Sequence, residues 1–213
     1  MAIAEPTTLA TDYALGTLSE IFGILLLRHN RTLRQSCISS WAIALMAAAM
    51  SSYLGGTYHG FQHMLGAEAG ALLWKLTAIA MGVASFFLLT AGFTATFSAP
   101  IRVWLIAAAA VKLVGYSVWM LYRDEFRFVI YDYGSTLLIL FALTVSGWTS
   151  GTAGHRRYIT AGILVSIAAA LLQQSGFQLH RHFNHNDLMH VVQMGGVWLL
   201  FKGGARLRDR TTA

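Results

Sequence analysis

Long apolar runs alternate with short polar breaks along this chain, and that rhythm predicts its elements. The runs cover roughly residues 13–28, 38–62, 69–97, 100–122, 127–148, 157–179 and 187–205. An α-helix needs about 20 predominantly apolar residues to cross a bilayer core of about 30 Å, and the runs match that length. The breaks between them are "RHNRTLRQS", "MLGAEAG", "FSAP", "YRDEFR", "TSGTAGHRR" and a histidine-rich stretch beginning "HRHFN". Backbone in hydrocarbon must satisfy its own hydrogen bonds, so the spans are predicted to be helices packed as one bundle. The expected fold class is all-α: a polytopic membrane protein with seven transmembrane helices in a single domain, residues 1–213. No linker or internal repeat interrupts it.

Composition strengthens this reading. Hydrophobic residues make up 56% of the 213 and charged residues only 11%, against roughly 25% charged in a soluble domain. Residues 1–12, "MAIAEPTTLATD", lack Lys and Arg and contain Glu5 and Asp12, so a cleavable signal peptide is not expected. The single cysteine, Cys37, excludes an internal disulfide framework and a cysteine-rich zinc site. Any metal must then be held by His and carboxylate.

The formal charge of +6 resolves into a topology signal. Arg28, Arg31, Arg34, Arg102, Arg156, Arg157, Lys202, Arg206, Arg208 and Arg210 fall on one predicted side; Arg123, Arg127 and Arg181 fall on the other. Positive residues favour the cytoplasmic side, which predicts the N-terminus outside and the C-terminus in the cytoplasm. The basic residues form no stripe interleaved with exposed aromatics, so no nucleic-acid partner is expected. The partners expected are the membrane and a lipid; the sequence does not fix the oligomeric state.

With that orientation, six of the eight histidines and most carboxylates collect toward the outer side. His59 and His63 lie near the end of span 2, four apart and so on one helix face. His185, Asp187 and His190 open span 7, where Asp187 and His190 also share a face. Glu68 and Lys75 open span 3, Asp132 opens span 5, and Glu20 lies inside span 1. Histidines from two helices are a common way to hold zinc, with a carboxylate orienting a ligand or moving a proton. The candidate metal ligands are His59, His63, His185 and His190, and the candidate proton-transfer residues are Asp187 and Glu68. Imidazoles also serve as interfacial hydrogen-bonding groups, the role expected of His180 and His182. Lys112 and Glu20 fit a structural ion pair or a snorkelling side chain as well as they fit catalysis. The pairs Gly55-Gly56 and Gly195-Gly196 would let helices approach closely, compatible with spans 2 and 7 packing together.

The segments "GGTYHGF" ending span 2 and "NDLMHVVQMGG" opening span 7 resemble the CREST superfamily. That group of seven-helix proteins includes alkaline ceramidases and the progestin and adiponectin receptors. Its pattern is Ser-x-x-x-His on helix 2, Asp on helix 3 and His-x-x-x-His on helix 7. Position by position, the resemblance makes His59 and His190 zinc ligands. It implies a zinc-dependent hydrolase of a lipid amide or ester, of a bacterial branch, in a bacterial inner (plasma) membrane. The chain departs from the pattern at Gly55, where the serine stands, and at Asn186, with His185 displaced by one. No Asp opens span 3, and Glu68 is the nearest carboxylate. The alternative is a non-enzymatic receptor or a proton- or metal-handling carrier, motivated by Glu20, Lys75, Lys112 and Asp132. A retinal pigment does not fit, because Lys202 lies near the cytoplasmic end of span 7 rather than mid-span. A b-type haem held by histidines from two helices remains open.

Overall fold

The computed structural model describes residues 3–210. It contains α1 (Pro6–Leu33), α2 (Ser36–Phe61), α3 (Ala67–Thr96), α4 (Ala99–Tyr122), α5 (Arg127–Val145), α6 (His155–Ser175) and α7 (His185–Gly204). Among the described residues there is no sheet, only isolated bridges pairing Gly151 with Leu207 and His180 with Phe183. α1 to α6 are each long and apolar enough to cross a membrane, as a multi-pass integral membrane protein requires. α7 does not reach that apolarity, because His185, Asn186, Asp187, His190 and Gln193 crowd its first half. Its 20 residues still give a length of about 30 Å at 1.5 Å per residue.

The boundaries differ from expectation most at α1, which starts at Pro6 rather than near residue 13. Proline at a first helical position has its φ already set and lacks an N–H that would be orphaned anyway. The polar "TTLATD" segment therefore forms helix and joins the bundle.

Contacts between elements close a ring in the order α1, α2, α3, α5, α6, α7 and back to α1, with α4 outside against α3. Only 11% of the α4 apolar window is buried. α2 and α7 meet along a short stretch, since α1 lies between them for most of their length. The glycine pairs serve other contacts than the expected one between spans 2 and 7. A Cβ on Gly56 would come within 2.8 Å of Asp12 Cβ on α1, and one on Gly196 within 3.0 Å of Ser166 Oγ on α6. The core of the ring holds Leu26, Ile38, Trp41, Leu140, Ile163 and Leu200, all essentially inaccessible.

One end of the ring, the tail end, is closed by the segment after α7. Asp209 accepts the Ser36 and Cys37 amides through separate oxygens, each at 2.8 Å, and so caps α2. Its own amide donates to Gln35 Oε1 at 2.8 Å. Arg208 N–H reaches the Ser150 carbonyl and Arg210 N–H the Thr94 carbonyl. An anionic acceptor at a helix N-terminus satisfies orphan amides and complements the helix dipole. Burial pushes the Asp209 carboxyl up, but the bonds from Cys37 and Ser36 outweigh it and hold its pKa below the ordinary carboxylate value.

Candidate functional site

The other end of the ring carries the acidic and imidazole groups. α1 turns Thr8, Asp12, Leu15 and Ser19 inward, spaced by three or four residues on one helix face. Gly56 makes room for this face, its α-carbon packing where a Cβ would strike Asp12 and Tyr13. The chain ahead of α1 is tied down by Ala4 N–H donating to the Gly60 carbonyl at 2.9 Å.

Across from Asp12, α7 begins with a capping box. Asn184 Oδ1 accepts the Asn186 and Asp187 amides, and Asp187 Oδ2 accepts the Asn184 amide at 2.8 Å. That reciprocal arrangement fixes the helix start and so the direction of the next turn. His190 projects from that turn and is 6% exposed. Its Nε2 lies 3.2 Å from Asp12 Oδ1, and its Nδ1 lies 3.0 Å from Thr11 Oγ1. Thr11 also reaches the Thr8 carbonyl at 3.2 Å and Asp187 Oδ1 at 3.5 Å.

These contacts allow two proton arrangements. With Nε2–H donating to an ionised Asp12, the Thr11 hydroxyl donates to Nδ1. With Nδ1–H donating to Thr11 instead, the hydroxyl donates to Thr8 or Asp187, and Nε2 turns a bare lone pair toward Asp12. Two acceptors facing each other in a buried place need a cation between them, a proton or a metal.

α2 contributes His59 beside this pair. His59 Nδ1 is 3.3 Å from Glu5 Oε2 but is a buried atom with no hydrogen-bond partner. Gln62 holds the other Glu5 oxygen at 2.9 Å, and the His59 ring stands edge-on to Trp74 at 6.2 Å.

Of the residues singled out from sequence, Asp187 and His190 stand together in this cluster, whereas His59 on α2 meets Glu5 at the same end. His185 is half-buried at the first position of α7, with an unpartnered Nδ1. His63, in the turn after α2, and Glu68, in the first turn of α3, are both exposed. His180 and His182 are exposed in the loop before α7, where His182 accepts from Arg181. Among the described residues, no group of three or more His, Cys, Asp or Glu is arranged to hold a metal ion.

Sequence reasoning missed Glu5, Thr11 and Asp12 as site residues because span 1 was begun after them. The signal was there: Thr8, Asp12, Ser19, Gly23 and Asn30 make a small, polar stripe that continues the helix backward. The remaining charges have local partners. Lys112 Nζ bonds Asp132 and Thr136, Lys75 bonds the Leu121 carbonyl, and Glu20 accepts from Tyr53 at 2.8 Å.

Residues 7–209 match the family described as "Family of unknown function (DUF6962)". The chain belongs to this family. The matched region takes in Thr11, Asp12, His59, Asp187 and His190, as well as the Asp209 cap at the opposite end; Glu5 lies just ahead of it. No curated protein and no solved structure matches the chain.

Proposed function

We propose that this member of DUF6962 is a membrane-embedded, zinc-dependent hydrolase of a lipid amide or ester, with Asp12 and His190 at its centre. One observation carries the reading. A carboxylate and an imidazole from the first and last helices, each 8% exposed at the side chain, face one another at 3.2 Å. Ionisable groups inside a membrane bundle are costly and usually functional.

Two donors of the kinds zinc accepts, a carboxylate oxygen and an imidazole nitrogen, face each other here. Two ligands on one tetrahedral ion, each about 2.0–2.1 Å from it, stand roughly 3.3 Å apart, close to the Asp12–His190 separation. Asp12 and His190 would hold the ion; His59, whose buried Nδ1 has no hydrogen-bond partner, faces Glu5 and would have to move to join them. A zinc ion held there would supply Lewis-acid polarisation of a carbonyl and activation of water near neutral pH.

The chain's own groups do the rest. Thr11, itself 3.5 Å from Asp187 Oδ1, orients His190 through a hydrogen bond at Nδ1. Asp12 Oδ2, which lies toward Gly55, takes up a proton in place of the exposed Glu68. Glu5, with its side chain 34% exposed, exchanges protons between the His59 side and solvent. The apolar flanks of the bundle suit a substrate with acyl chains.

Proton handling without hydrolysis is the second reading, favoured by the capacity of the Asp12–His190 pair to hold one or two protons. Purified protein assayed against a panel of lipid amides and esters separates the two. The hydrolase reading expects turnover that a chelator stops and zinc restores, lost in His190→Ala and Asp12→Asn. Absence of turnover across the panel in zinc-loaded wild-type protein would sink it and favour proton handling.

A further inference from the structure

At the tail end, the chain entering α6 and the chain leaving α7 gather cations without counter-charge. α6 follows a left-handed Gly154, with no side-chain cap and no acidic residue in its first turn. A helix N-terminus carries about half a positive charge and favours anions, yet Arg156 and Arg157 add to it here. Arg156 is engaged by the Gly147 carbonyl, whereas Arg157 is exposed.

α7 and the segment after it bring more positive charge to the same place. The guanidinium carbons of Arg206 and Arg157 lie 4.8 and 5.9 Å from the Tyr158 ring centroid. Lys202 Nζ lies 5.8 Å from the Trp198 ring, and Trp198 is 46% exposed. Arg206 Nη1 donates to the Lys202 carbonyl at 2.6 Å, which ties the two residues together, and the stacking leaves the other N–H groups of the guanidinium available. Among the described residues, none of the three pairs with a carboxylate. Asp209, the acidic residue of the tail, has both oxygens committed to the α2 amides.

We propose that Arg157, Arg206 and Lys202, set around Tyr158 and Trp198, bind the phosphate headgroup of an anionic phospholipid. Charge complementarity asks for an anion. The apolar α6 surface and exposed Trp198 beside the cations ask for one that carries acyl chains. Basic pockets between membrane helices recognise acidic headgroups in this way. The inference does not depend on the chemistry at the histidine end.

The test uses the full chain in nonionic detergent, with thermal midpoints read against added phosphatidylglycerol, phosphatidylcholine or inorganic phosphate. Phosphatidylglycerol should bind with roughly hundredfold preference over phosphatidylcholine. The double variant Arg157→Gln, Arg206→Gln should cut that preference about thirtyfold, while the matching lysine variant keeps most of it. Unchanged lipid-free midpoints in both variants separate lost binding from lost folding. Equal binding of the two lipids, full preference in the glutamine variant, or the same stabilisation by inorganic phosphate would each overturn the proposal.

Discussion

Asp12 on the first helix and His190 on the last meet at 3.2 Å, closing the helix ring at its most polar point. α1 is thereby wedged between α2 and α7, and the imidazole is held on both nitrogens. Neither residue would be stable in this setting alone, because each is the other's compensation for leaving water.

That interdependence is measurable. Removing one partner of a buried ionic pair typically costs about 3–5 kcal/mol, because the other stays buried and unpaired. Asp12→Ala and His190→Ala should each destabilise strongly. The double variant should be less destabilised than the sum of the singles, by about 0.5–3 kcal/mol. A double-mutant cycle on unfolding in detergent provides the check, and strict additivity would mean that the contact contributes nothing.

Gly56 governs the approach of α1. Its notional Cβ falls 2.8 Å from Asp12 Cβ and 2.9 Å from Tyr13 Cδ1, and the atoms it meets include one next to backbone. Gly56→Val should cost about 1–3 kcal/mol as overpacking, and should displace Asp12 from His190. Gly115→Val on the outer face of α4 meets no atom within 4 Å and should leave stability and activity near wild type. Parallel thermal and activity measurements on the two variants distinguish a site effect from a general glycine effect.

Asp209 should make stability depend on pH. Its folded pKa is lowered, so its contribution is fully present above the unfolded value of about 3.9 and is lost as pH falls through the folded value. Asp209→Asn should lose about 0.5–2 kcal/mol of cap stability at neutral pH. The difference between wild type and variant should shrink below about pH 4. Unfolding midpoints from pH 3 to pH 7, on both proteins, would reveal this convergence or its absence.

The Lys112–Asp132 pair predicts a different response. Asp132 has a side chain only 5% exposed, and its Oδ2 is buried without a partner. Lys112→Met should therefore destabilise by about 3–5 kcal/mol, and adding Asp132→Leu should recover much of the loss. Recovery of stability with activity intact would mark the pair as structural.

The helices were legible because the apolar runs are of helix length, six of them long and apolar enough to span, and the polar breaks are short. The gathering of His59, Asp187 and His190 at one end was legible too, since alternation of span direction fixes which ends coincide. The partner of His190 was not. Asp12 lies in a polar segment that packs as helix against Gly56 of the next helix, and it meets His190 only because the first and last helices are neighbours in the ring. Nor could hydropathy single out α4, which is as apolar as α5 at a mean hydropathy of 1.7. Lipid and protein interior are equally apolar surroundings, so apolarity does not say which one a helix faces.

The most direct test of the central claim is the zinc content of purified protein, measured in wild type, Asp12→Asn and His190→Ala after loading and desalting. The account predicts about one zinc per wild-type chain, as expected of a single tetrahedral site, and a loss of at least about tenfold in affinity in both variants. Retention of zinc at wild-type affinity in Asp12→Asn and His190→Ala, or none in wild type, would contradict it.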